Sequence, residues 1–314
     1  MTKKILSIDG GGMYGVIPTE VCIAIEDKLQ KSLKQTFDLF VGTSTGSLIS
    51  SAALRGLKGA NPPGMSAKEI MNIYLSSAER IFGAGSRNRL QFNIPILNEG
   101  KYPKYNPSGL MGVINEVFGS GSFAEMEDTD KLIVTTYNVT ARKPHLFTSW
   151  GSDNRTQIKD AVMASSSVPQ THPLHEINGS YYTDGGVFAS NPALIAYSEA
   201  KARWGDEDVV LVSLGTGIPK VETETGKPDD DIGWWLKNVF KIFLDGQEES
   251  VDNALTNIAN NPSNKLTYFC FDCEVEGKRG AETDLEVLEK AREIMRTELN
   301  NQAAKFNIAI AALQ

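Results

Sequence analysis

The chain has 314 residues, a length for one large or two small domains and enough to bury a core without a disulfide or metal staple. Hydrophobic residues make up 41% and charged residues 22%, average values for a globular domain that exclude a disordered, fibrous or low-complexity chain. With 31 Lys and Arg against 39 Asp and Glu the formal net charge is -8, so no nucleic-acid partner is expected, and an anionic membrane is met through a local patch if at all.

Three cysteines, Cys22, Cys270 and Cys273, are too few and too odd in number for a disulfide framework and point to a reducing, cytoplasmic compartment. Cys270-Phe-Asp-Cys273 has the spacing of a metal half-site, but no second Cys or His pair follows, so no metal is expected. The apolar run Ile5 to Ile8 is too short for a signal peptide, and no stretch is long enough to span a bilayer.

In chain order, Lys4 to Ile8 reads as a short buried strand, followed by a glycine-rich turn and a helix in which Ile17, Val21, Ile25 and Leu29 recur every fourth residue. The unit repeats: Phe37 to Val41 is apolar, Gly42-Thr43-Ser44-Thr45-Gly46 ends it, and Leu48 to Leu54 reads as helix. After Pro62-Pro63-Gly64 a helix is expected from about Ser66 to Ile81, and Gly83 to Pro107 reads as a long irregular loop. Strands are expected at Leu132 to Tyr137, Pro144 to Thr148, Ser180 to Thr183, Val209 to Leu214 and Leu266 to Phe271, and helices at Thr156 to Ser165 and Ala193 to Trp204. Lys220 to Asp231 reads as an exposed polar loop, Ile232 to Leu244 as an aromatic-rich helix with Trp234 and Trp235, and Leu285 to Leu313 as a helical tail broken near Asn300. Alternating strands and helices predict an α/β fold with a mostly parallel sheet covered on both faces, one domain over 1–314 with a core at about 4–217 and a helical extension at about 232–314.

Three glycine-rich turns fall at strand ends, where ligands of such sheets bind. Gly42 and Gly46 flank Ser44 as in a nucleophile elbow, a sharp strand-to-helix turn that holds a serine hydroxyl clear of the sheet. A serine needs a base. No histidine follows His175, and His145, His172 and His175 lie in no fixed turn chemistry. Asp184 ends a strand and is followed by Gly185 and Gly186, which allow close backbone approach at the same sheet edge as Ser44. The loop Asp9-Gly10-Gly11-Gly12-Met13-Tyr14-Gly15 has two readings. It fits the dinucleotide pattern Gly10-x-Gly12-x-x-Gly15, although Asp9 would face the pyrophosphate and Asp38 precedes its strand rather than ending it. It also fits an anion cradle whose N–H groups receive a negative oxygen forming beside Ser44.

The runs Leu6 to Pro18, Gly42 to Gly46 and Asp184 to Pro192 together resemble the three signature blocks of the patatin-like phospholipases. Lys104 to Leu110, Ala164 to Pro169 and Val212 to Gly217 resemble that family's weaker blocks. The resemblance implies a three-layer α/β/α fold, hydrolysis of fatty-acyl esters of phospholipids or other lipids, and no cofactor. It also implies a Ser44–Asp184 dyad without histidine, and an oxyanion hole in the Gly10, Gly11 and Gly12 loop. The chain departs from the family pattern at Tyr14, where Arg or Lys is usual: a neutral single donor replaces a fixed charge with five.

The expected partner is therefore an acyl lipid, reached by transient membrane contact through Gly83 to Leu97 or the Trp234-Trp235 helix, with a small-molecule or protein activator open. For that helix, packing on the core is the commoner meaning of so wide an apolar face. Two other readings stand beside the hydrolase: a catalytically impaired lipid-binding or interaction protein, and a dinucleotide-binding oxidoreductase.

Overall fold

The structure is a computed structural model that describes residues 2–55, 64–83, 104–220, 232–276 and 282–314. The strands are β1 (Lys3–Ile8), β2 (Leu39–Thr43), β3 (Leu132–Asn138), β4 (Lys143–Thr148), β5 (His175–Ile177), β6 (Ser180–Asp184), β7 (Val209–Leu214), β8 (Ile218–Pro219), β9 (Leu266–Phe271) and β10 (Glu274–Val275). The helices are α1 (Val16–Leu29), α2 (Leu33–Thr36), α3 (Thr45–Arg55), α4 (Ala67–Phe82), α5 (Ser108–Phe118), α6 (Ile158–Ser165), α7 (Gly186–Ala189), α8 (Ala193–Trp204), α9 (Ile232–Ala259), α10 (Leu285–Asn301) and α11 (Ala303–Ala312).

The main sheet has the order β5-β6-β3-β2-β1-β7-β9, with β4 also on β3. β3, β2, β1, β7 and β9 run parallel, whereas β4 and β6 are antiparallel to β3. The period of two along each strand separates the two faces of the sheet. Ile5, Val41, Ile133 and Leu211 face α8 and α9, where Ala193, Ala196, Ala200 and Leu255 are buried. Leu6, Ile8, Phe40, Val134 and Val212 face the larger cluster, which takes in α1, α4, α5, α6, α10 and α11. This is the expected three-layer α/β/α arrangement.

Local sequence explains the element ends. Ser32 with Gln35 and Ser66 with Glu69 form reciprocal capping boxes that start α2 and α4, each stabilising by about 1 kcal/mol. Gln30 takes a left-handed conformation to close α1. The tail breaks at Gln302, between α10 and α11. It is no loose appendage: Glu20 of α1, 5% exposed, accepts from Arg292 Nε at 3.0 Å and Arg296 Nε at 2.6 Å on α10, and Lys4 Nζ donates to Leu313 O at 2.6 Å.

Most of Gly83 to Pro107, and 221–231 of the polar loop, lie outside the described residues. The helix α5, not anticipated, starts at Ser108 and buries Leu110, Val113, Ile114 and Val117.

β3 has two edges, and β4 occupies one of them from Ile133 to Asn138. The other edge is shared: β2 pairs with it up to Thr43↔Thr135, and β6 takes over at Thr136↔Asp184. Where β2 turns away into α3, β6 delivers Asp184 into the next place on the ladder.

Candidate active site

Ser44 sits between the last residue of β2 and the first of α3 with φ +54°, a left-handed conformation that non-glycine residues rarely adopt and that marks functional turns. The glycines at both flanks are required. A Cβ on Gly42 would lie 2.2 Å from Gly46 O, and one on Gly46 would lie 2.1 Å from Ile8 O. The turn is fastened by Ser44 N–H donating to Ser165 Oγ at 2.8 Å and by Ser47 Oγ donating to Ser44 O at 2.6 Å.

Asp184 is buried beside it. Its Oδ1 accepts the Gly186 N–H at 2.7 Å, and its own N–H donates to Ser167 O at 3.1 Å. Burial pushes the carboxyl up to about 7, opposed by the Gly186 N–H and the Ser44 hydroxyl, both of which favour the ionised form. Among the described residues, Oδ2 has no hydrogen-bond partner of normal geometry. Serine and aspartate are thus held from the same segment, Ser165 to Ser167, whose role the sequence did not disclose.

The glycine loop lies at the end of β1, and its middle is pinned from both sides. Gly10 N–H donates to Ser190 O at 3.0 Å, and Thr216 Oγ1 donates to Gly10 O at 2.6 Å. The Gly10 N–H, expected among the oxyanion donors, is engaged by Ser190 here, and Gly10 anchors the loop. No acceptor among the described residues takes the N–H of Gly11 or Gly12. A Cβ on Gly10 would meet Ser44 Cβ at an ordinary 3.5 Å, which places the loop against the nucleophile, whereas one on Gly11 would fall 2.1 Å from Thr216 Oγ1. Gly12 has φ +61°. Gly185 also needs its bare Cα, since a Cβ there would lie 2.2 Å from Thr135 Oγ1.

Tyr14 is 1% exposed and its hydroxyl has no hydrogen-bond partner among the described residues. The ring packs into the core. Its hydroxyl is pushed up by burial and by the nearby Glu282 carboxylate.

None of the histidines is a partner of Ser44 or Asp184 among the described residues. His145 faces Asp153 at 3.0 Å and His175 faces Asp160 at 3.3 Å. His172 is buried between Phe82 and Tyr105, and burial pushes it down to about 4. Asp38 accepts the Lys4 N–H at 2.8 Å, at the opposite end of β1 from the glycine loop, so it offers no ribose contact there. Ser190 and Thr216 lie in the blocks Asp184 to Pro192 and Val212 to Gly217, whereas no motif marks Gln247 or Glu248 as supports of the site.

Fold and site together define a three-layer α/β/α protein built around a serine on a strained strand-to-helix turn with a buried aspartate beside it. The chain belongs to the patatin-like phospholipase family, whose model matches residues 6–197. It is 27% identical over 329 residues to patatin-like protein 2 of Arabidopsis thaliana, covering 91% of this chain and 79% of that protein. It is 26% identical over 280 residues to a cGAMP-activated phospholipase of Pseudomonas aeruginosa, covering 86% of this chain and 78% of that one. Among solved structures it is similar to VipD from Legionella pneumophila, with a TM-score of 0.48 and 14% identity over 95% of this chain and 67% of that one.

Proposed function

We propose that the chain is a serine lipid acyl hydrolase, of phospholipase A or lysophospholipase type, that cleaves fatty-acyl esters through Ser44 and Asp184. The observation that carries this reading is the left-handed Ser44 on the turn, beside a buried carboxylate whose proton affinity is raised into the range of a working base. Ionised Asp184 takes the Ser44 proton as Oγ attacks the ester carbonyl. The oxyanion that forms is received by the N–H groups of Gly11 and Gly12. Collapse breaks the ester bond, and Asp184 returns its proton to the departing alcohol or lyso-lipid. Water then gives a proton to Asp184 and attacks the acyl-serine, and the fatty acid leaves as Ser44 regains its hydrogen.

Membrane contact enters this proposal through α9, on which Ile242 and Phe243 are exposed next to Leu244 at the site. No described helix is long and apolar enough to cross a membrane. The three cysteines are free thiols, which fits a reducing compartment. The name of the Pseudomonas relative supports including a cyclic dinucleotide as candidate activator in any assay.

The test is labelling by a fluorophosphonate together with turnover on a panel of phospholipids, lysophospholipids and neutral lipids, with and without candidate activators. Labelling that vanishes in Ser44→Ala, and turnover lost in Ser44→Ala and Asp184→Asn alike, is expected. A folded protein that neither labels nor hydrolyses under any of these conditions overturns the enzyme reading in favour of a binding protein.

A further inference from the structure

Helix α9 lies beyond the matched residues 6–197, yet it touches both halves of the site. A Cβ on Gly186 would lie 3.0 Å from Asp184 Oδ1 and 3.3 Å from Leu244 Cδ2, so Leu244 covers the carboxylate region from this helix. One turn on, Gln247 Oε1 accepts the Ser190 N–H at 3.2 Å and Glu248 Oε1 accepts the Ser190 hydroxyl at 2.6 Å. Ser190 is 2% exposed, and its carbonyl is the acceptor that holds Gly10 N–H at 3.0 Å. Further along, Asp252 accepts from Tyr268 of β9 at 2.9 Å and Leu255 is fully buried, so that end of α9 is fixed to the sheet.

We infer that Glu248, assisted by Gln247, is a positioning residue for the oxyanion loop, acting through Ser190 on the peptide of Gly10. The inference rests on the hydrolase reading for its catalytic consequence, but not for its structural one. Ser190 closes the short helix α7, and with two acceptors on α9 gripping its hydroxyl and its N–H, its carbonyl has one direction in which to point. Gly10 is then fixed at N–H by Ser190 and at C=O by Thr216, and because that C=O shares a peptide plane with the Gly11 N–H, the direction of the Gly11 donor is set, with Gly12 following one peptide later. A hydrogen bond to a charged acceptor is about twice as strong as a neutral one, which suits Glu248 to the role. Without it Ser190 keeps only the neutral acceptor of Gln247, and its carbonyl holds the Gly10 N–H less firmly. The catalytic unit thereby includes a helix whose preceding turn exposes Ile242 and Phe243.

The experiment compares the wild type with Glu248→Ala, Glu248→Gln and the double variant Gln247→Ala/Glu248→Ala. Four quantities are read: kcat and KM on a water-soluble short-chain ester, hydrogen exchange of the segment containing Gly10, and the melting temperature. Glu248→Ala is expected to lower kcat by about 10- to 100-fold, since small misplacements at a distance from the chemistry act on this scale, with KM changed by less than about two-fold. Exchange at Gly10 should quicken, the double variant should go further, and Glu248→Gln, which keeps an acceptor oxygen, should recover most of both. Unchanged kcat and exchange in the double variant overturns the inference, as does equal loss in Glu248→Ala and Glu248→Gln tracking a lowered melting temperature. If the wild type itself shows no turnover, the hydrolase reading fails while exchange at Gly10 still decides the positioning role.

Discussion

The hydroxyls of Thr43 and Thr135 lie 2.6 Å apart between β2 and β3, and Thr43 passes its own hydrogen on to Ala189 O at 2.7 Å. Thr135 therefore donates to Thr43, and the chain of hydroxyls locks the residue before the nucleophile to the helix that follows the base. This buried link fixes the separation of Ser44 and Asp184 independently of their own contact.

Gly185→Ala should break that link, because the new Cβ would fall on Thr135 Oγ1 and 2.5 Å from Thr135 O. Backbone cannot yield as a side chain can. Turnover is expected to fall by about 100-fold or more, measured against Thr135→Val, which removes one hydrogen bond without adding bulk and should cost about 1 kcal/mol in denaturant unfolding.

The glycine loop offers a graded comparison. Gly10→Ala meets neighbours at 3.4 Å and beyond, whereas Gly11→Ala must displace Thr216 and so frees the Gly10 carbonyl. Gly11→Ala is expected to lose about 100- to 1000-fold in kcat, the scale of one oxyanion donor, and Gly10→Ala markedly less. Equal losses in the two would remove the Thr216 clamp from the account.

Asp184 sets a pH dependence in two observables. As a base it works ionised, so kcat/KM should rise with pH and level off above about 7. In stability the sign is opposite. The native carboxyl is raised from 3.8 to about 7, so its contribution is complete below the unfolded value and is lost as pH climbs through the native one. Asp184→Asn, which cannot ionise, should gain in melting temperature over the wild type on going from pH 4 to pH 8. A constant difference would contradict the raised value.

At Tyr14 the burial argues against a gain from the residue usual in the family. Tyr14→Arg would bring a guanidinium into a site 1% exposed, with Glu282 the neighbouring countercharge. A lowered melting temperature is expected, with no shift in the ratio of turnover on anionic and neutral lipids. Tyr14→Phe, which deletes a hydroxyl with no hydrogen-bond partner among the described residues, should retain both activity and stability.

Glu20 tests the attachment of the tail. Glu20→Gln removes one of the two carboxylates that hold Arg292, whose side chain is 12% exposed and which keeps Glu289 at 2.6 Å. Losing one charge-assisted hydrogen bond while a countercharge remains costs about 1.5 kcal/mol, read as a lower denaturant midpoint. Arg296→Gln should cost much less because its side chain is 50% exposed.

Much of this was legible in the sequence where local chemistry governs. β1, β2 and the turns after them were readable because an apolar run stops at glycines, and Ser44 and Asp184 because each stands at such a stop. The helix α5 was not read, since the prolines and glycines before Ser108 hid a start that Leu110, Val113, Ile114 and Val117 would otherwise mark. The shared edge of β3 was beyond reach, as nothing in β6 says that it continues where β2 departs. Gln247 and Glu248 look like any polar pair on a helix, and their meaning depends on Ser190, 57 and 58 residues away.

The left-handed Ser44 has a consequence for how such a chain would drift. Every non-glycine residue there carries a standing burden of about 1–2 kcal/mol, which glycine would lift. Were the chemistry dispensable, Ser44→Gly would be among the cheapest stabilising changes open to the gene, leaving a sturdier, inert protein. Gln30, Arg142, Gln170, Asn178 and Lys265 carry the same backbone burden, but only at Ser44 would the relief of strain also remove the proposed nucleophile.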